Sequence, residues 1–161
     1  MKLRELLEID QERIKRSEDI KVIHEWTNVI QYDRKSLASK IWGFLTWSPK
    51  IINKLLRFRV VNKKSGSEYV VYLEISPKRS FNKILSSRVK VFCKCDDFKY
   101  RAAYILNQDK NLFRAPVIDK HLGIALTEKP RVVKTTTMCK HIYAVIDYVK
   151  DNLNKLDLIT E

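Results

Sequence analysis

Three cysteines and one histidine fall in two short clusters, Cys93-Lys94-Cys95 and Cys139-Lys140-His141, and the chain has no other cysteine. An odd cysteine count suits a disulfide framework poorly, whereas three thiolates and one imidazole make a closed tetrahedral zinc set. The spacing also restricts the local fold. On a straight strand, residues two apart share a face but do not converge on one ion; on a helix they diverge. Each pair must therefore sit where an element begins or ends. Lys94 and Lys140, between the ligands, favour ionised thiols and offset the negative charge that three of them bring to a divalent cation. The expectation is one structural Zn²⁺ held by Cys93, Cys95, Cys139 and His141, contributing on the order of 10 kcal/mol to the folded state. His24 and His121 have no paired ligands nearby and read as ordinary surface or core residues.

Hydrophobic periodicity supplies elements around the two pairs. Leu3, Leu6, Leu7 and Ile14 suit a short amphipathic helix, Ile20–Tyr32 mixes helical and alternating patterns, and a helix is expected over Lys35–Leu45. Ser48-Pro49 reads as an N-cap and N1 proline opening a helix through Ile51, Ile52, Leu55 and Leu56. Phe58–Asn62 and Tyr69–Ile75 are β-rich runs around Lys63-Lys64-Ser65-Gly66-Ser67, a hairpin signal. Arg88–Phe92 alternates basic and apolar residues and leads into Cys93 as a third strand. Phe98, Ala102, Ile105 and Leu106 then fall at helical spacing, with Asp96 or Asp97 available as a cap. Residues 107–137 read as irregular. From His141 to Leu156 one apolar stripe defines a final helix. Trp26, Trp42 and Trp47 are expected in the core. The fold class is α+β, a small antiparallel sheet with flanking helices around a ββα-like zinc site. The division is an N-terminal helical or mixed extension over 1–47 and a basic zinc-binding domain over 48–161, or one domain throughout.

The segments Cys93-x-Cys95-Asp96-Asp97-Phe98 and Cys139-Lys140-His141-Ile142-x-Ala144-Val145 resemble the SWIM zinc finger, written C-x-C-(spacer)-C-x-H. The resemblance covers Arg88–Tyr104 and Thr137–Val149, and its spacer, residues 96–138, is longer than is usual for that family. It implies a ββα zinc fold with two ligands at a strand end and two at a helix start, and a role in binding DNA or protein. SWIM modules occur beside helicases, transposases and ubiquitin-pathway domains. Small proteins of tailed bacteriophages also look similar, with a C-x-C-x-x-F-x-Y-R segment and a distant C-K-H.

Charge points to the partner. The net charge is +13. Between Arg34 and Lys90 there are 14 basic residues against Glu68 and Glu74 alone. A field so dense attracts polyphosphate backbones and releases their counterions. Arg57, Arg59, Lys63, Lys64, Lys78, Arg79, Lys83, Arg88 and Lys90 are the candidate phosphate-binding face, with Phe58, Tyr69, Tyr72 and Phe92 as aromatics that belong mostly to the core. No recognition-helix motif is evident, so the expected partner is nucleic acid, DNA before RNA, bound with little sequence specificity. An adaptor or virion protein, assembling as a homo-oligomer or meeting acidic proteins or packaged DNA, is the alternative. Catalysis is not expected. The tripeptide Asp97-Phe98-Lys99, with Glu68 or Glu74, spells only a short piece of a metal-dependent nuclease site. Met1–Leu7 turns charged at once, without a signal peptide, and the longest apolar run, Ile41–Leu45, is far short of a bilayer span. These features fit a cytoplasmic protein, or a virion component if phage-encoded.

Overall fold

Apolar residues alternate at Leu56, Phe58 and Val60, and again at Val71, Leu73 and Ile75, all almost fully buried. That period builds strands with one face turned to a core. The computed structural model describes Lys2, Leu3, Glu5 and residues 17–33, 50–129 and 138–160. Four strands, β1 (Ile20–Asp33), β2 (Lys50–Asn62), β3 (Glu68–Ile75) and β4 (Val89–Cys93), form one antiparallel sheet in the order β1-β2-β3-β4. The fold is α+β, as its sequence pattern implies.

The β2–β3 hairpin turns at Gly66, whose φ of +70° is a left-handed conformation that glycine adopts without strain. Val60 pairs with Tyr69, Leu56 with Leu73, and Val71 with Cys93. The turn and the Cys93 end of β4 therefore lie at the same end of the sheet. At the opposite end the chain passes from β3 to β4 through the short helix α1 (Phe81–Leu85). The outer edge of β4 is covered rather than open: Val91 N–H donates to Asn111 O, and Phe113 N–H to Val91 O, each at 3.0 Å.

After β4 come α2 (Asp96–Arg101), α3 (Ala103–Gln108), α4 (Pro116–Leu122), a 3₁₀ turn (Gly123–Leu126) and α5 (Lys140–Asp151). On α5, Ile142, Val145, Ile146 and Val149 are buried at helical spacing against the inner face of the sheet. Leu153, Leu156 and Leu158 extend this core past the end of the helix, and Leu3 joins it from the N-terminal side.

Four sequence expectations need correction. The helix through Ile51, Ile52, Leu55 and Leu56 is instead part of β2. Leu55 and Leu56 point to opposite faces of a sheet that is apolar on both at this place, and adjacent apolar pairs of that kind imitate helical spacing. The stretch 107–137 is not irregular throughout, since Pro116 takes the N1 position of α4. The cap of α2 is Cys95, not Asp96 or Asp97; its Sγ accepts from Phe98 N–H at 3.4 Å, and both aspartates lie in the first turn. Trp26 is half-buried on the face of the sheet away from α5 rather than in the main core. Ile20–Tyr32 is strand, with a bulge between His24 and Trp26. The expected helix over 35–45, with Leu6, Leu7, Ile14, Trp42 and Trp47, lies outside the described residues. No described helix is long and apolar enough to cross a membrane.

Candidate metal centre

Cys93 ends β4, Cys95 caps α2, and Cys139 caps α5 with His141 in its first turn. The two pairs thus stand at element boundaries, where paired side chains can converge. They do converge. One ligand atom from each of Cys93, Cys95, Cys139 and His141 lies within 4.8 Å of every other, and all four residues are buried. His141 Nδ1 is 3.8 Å from Cys93 Sγ. Zn–S bonds of about 2.3 Å and Zn–N bonds of about 2.0 Å in a tetrahedron put such atoms roughly 3.6 Å apart, so the cluster is close to ligand geometry. Among the described residues no aspartate or glutamate joins it.

Burial and mutual contact shift these thiols in opposite directions. Burial pushes Cys93 well above the usual thiol range, and burial likewise raises Cys139. Cys95 moves the opposite way, lowered chiefly by the hydrogen bond from the Cys139 thiol and then by that from Cys93. Three thiolates packed together repel one another, so the protein alone concentrates the negative charge on one sulfur; a divalent cation removes that limit. The N-terminus of α5 assists, because Ile142 N–H faces Cys139. The two ring nitrogens of His141 differ in their surroundings. Its Nε2 is buried with no hydrogen-bond partner among the described residues. The other ring nitrogen, Nδ1, is the one beside Cys93 Sγ, and it is the atom a metal ion held by the three sulfurs would take. The donor set therefore fits one metal ion.

Two residues around the cluster escaped sequence reading. Tyr69 of β3 stacks against His141, with ring centroids 4.5 Å apart. Only the strand register reveals it, because Tyr69 shares the inward parity of Val71 and Leu73. Arg101 of α2 binds Asp97 and also senses the negative charge of Cys139 and Cys95. Its signal was present as the last residue of the segment running from Cys93 to Arg101.

The nine candidate phosphate-binding cations do not form one face. Lys63 and Lys64 sit at the hairpin end of the sheet, whereas Lys78, Arg79, Lys83 and Arg88 belong to the β3–β4 connection at the other end. Several are already engaged. Arg57 binds Glu25, and Arg59 lies 3.2 Å from Glu68 and 3.6 Å from Glu25. Lys64 pairs with Asp19 at 2.6 Å, Lys90 with Glu74 at 3.5 Å, and Lys63 donates to Glu18 O. Arg79, Lys83 and Arg88 are exposed, with no side-chain partner among the described residues.

Of the nuclease residues, Asp97 is held by Arg101, Glu68 by Arg59, and Glu74 is buried beneath Tyr32, Asn53 and Lys90. Each carboxylate thus has its own cation or donors. His24 is hydrogen-bonded to Thr27 at 2.8 Å. His121 lines a cavity on the outer face of the sheet. No protein-family model, no curated protein and no solved structure matches the chain.

Proposed function

We propose that this chain is a non-enzymatic nucleic-acid-binding domain, resembling the SWIM finger, in which one zinc ion has a structural role. The observation that carries the reading is the meeting of Cys93, Cys95, Cys139 and His141 in one buried cluster, although the pairs are far apart in sequence. Four protein ligands complete a tetrahedron and leave no open position for a reacting water. Zinc suits a set dominated by thiolate sulfur better than calcium or magnesium, which take oxygen ligands.

The nucleic-acid part rests on charge. With the ion-paired cations set aside, the phosphate contacts fall mainly to Arg79, Lys83 and Arg88, with Lys78 beside them. Contacts from such side chains hold a backbone without reading bases, which agrees with a chain lacking a recognition-helix motif. Two measurements on the purified protein test the proposal. Elemental analysis should find one zinc per chain, and DNA affinity should fall steeply as salt rises. A folded protein free of metal removes the first half; an affinity indifferent to salt removes the second.

A further inference from the structure

The sheet has two unlike faces. Beneath the inner one lies the core with α5. On the outer one, between the sheet and α4, is a cavity of about 450 Å³, within the range of roughly 300–1,000 Å³ that small-molecule sites occupy. Its walls are aromatic. Tyr72 stands at the centre, with Phe113 at 5.6 Å and Trp26 and Phe92 each at 6.1 Å between ring centroids. Among the described residues, no acidic one lines it. The Arg57 guanidinium lies 6.0 Å from the Tyr72 ring centre but is occupied by Glu25. Lys94 is exposed at the rim, its side chain without a partner among the described residues. His121 lines the same space. His121 Nε2 is buried and makes no hydrogen bond among the described residues, while its ring meets Phe92 edge-on at 90°.

We propose that this cavity binds one unstacked base of single-stranded nucleic acid, with Lys94 on the adjoining phosphate. The chemistry fits that occupant on two counts. A base offers a π-face to Tyr72, Phe113 and Trp26, as sequence-tolerant single-strand binders require. Its phosphate answers Lys94, the lining cation whose side chain has no partner among the described residues. Alternation along the chain ties the cavity to the metal centre, because Phe92 and Lys94 line the cavity while Cys93 and Cys95 enter the cluster. The inference deepens the nucleic-acid reading and rests on it.

The test uses the zinc-loaded chain and two oligonucleotides of equal length, one of thymidine and one carrying the same backbone with abasic sites. The thymidine strand should bind about tenfold more tightly. Phe113→Ala should reduce it to the abasic level. Because that change can also disturb packing, Val117→Glu supplies a second probe. Val117 is 81 % exposed and lines the cavity, so a carboxylate there should weaken the thymidine strand more than Ile124→Glu, an exposed site away from it. Equal binding of the two strands, or equal effects of the two glutamates, overturns the cavity assignment and leaves phosphate binding intact. Failure of both strands to bind overturns the nucleic-acid reading itself and the cavity with it.

Discussion

Tyr69 lays its ring against the imidazole of His141, centroids 4.5 Å apart and planes tilted by 37°. A residue of β3 thereby fixes the orientation of a ligand that belongs to α5. Outer residues that orient a histidine commonly change metal affinity by about 10- to 100-fold when removed. Tyr69→Ala should weaken zinc binding within that range, and Tyr69→Phe, which keeps the ring, should not. Competition against a chromophoric chelator measures both; an alanine variant as tight as the parent would show that the stack has no orienting role.

Loss of a ligand should be far more severe. Cys95→Ser or His141→Ala leaves an incomplete set of buried polar groups between β4, α2 and α5. The C-terminal half should then unfold, because a structural zinc contributes on the order of 10 kcal/mol, comparable with a whole domain's stability. Excess chelator should do the same to the parent. Unchanged cooperative melting in either variant contradicts this.

Zinc loading should release protons. Burial raises Cys93 and Cys139 above the ordinary thiol value, while hydrogen bonds from those two thiols lower Cys95. Metal binding must deprotonate the first two, so about two protons should leave and affinity should rise with pH. Calorimetry in buffers of different ionisation enthalpy counts them. A binding heat independent of buffer would mean that the thiols are already thiolates.

The Tyr32 hydroxyl donates to Glu74 Oε1 at 2.9 Å, and its pKa is raised to about 12, first by burial and then by that hydrogen bond. A raised folded-state value stabilises the protein fully below the unfolded value near 10 and loses that contribution as pH climbs from there to about 12. The ring is 38 % exposed, so solvent screening limits the effect to about 1 kcal/mol or less. Tyr32→Phe should flatten this part of the alkaline stability profile. A profile identical to the parent's would remove the coupling.

Free and engaged cations should behave differently toward DNA. Removing one cation that neutralises a phosphate lowers the slope of log affinity against log salt by about 0.9. The triple change Arg79→Ala, Lys83→Ala, Arg88→Ala should reduce the slope by roughly three, whereas Arg59→Ala, which unpairs Glu68 rather than a phosphate, should change it little. Equal slopes for the two variants would show that ion pairing within the fold does not select the contacts.

Much of the ligand cluster was legible because its chemistry allows few alternatives: C-x-C and C-x-H can meet on one ion only from element boundaries, and Cys93, Cys95, Cys139 and His141 stand at such places. The β2–β3 hairpin and the last helix were legible from clean alternation and a clean helical stripe. The early half of β2 was not, since Leu55 and Leu56 are both apolar for different reasons, one facing the cavity and one the core. The spread of the cations was hidden for another reason. Sequence shows that Arg57, Arg59 and Lys90 share a parity with their neighbours, but not that Glu25, Glu68 and Glu74 arrive on adjacent strands to neutralise them.

The strand order β1-β2-β3-β4 follows the order of synthesis, so each strand meets its neighbour as soon as it is made. Cys139 and His141 come later than any of the four. A nascent chain can therefore complete its sheet and present Cys93 and Cys95 while still lacking half of the coordination set. With the proposed ion as the last component, maturation would end with its capture, and the yield of native protein would depend on how much free metal the surroundings supply at that moment.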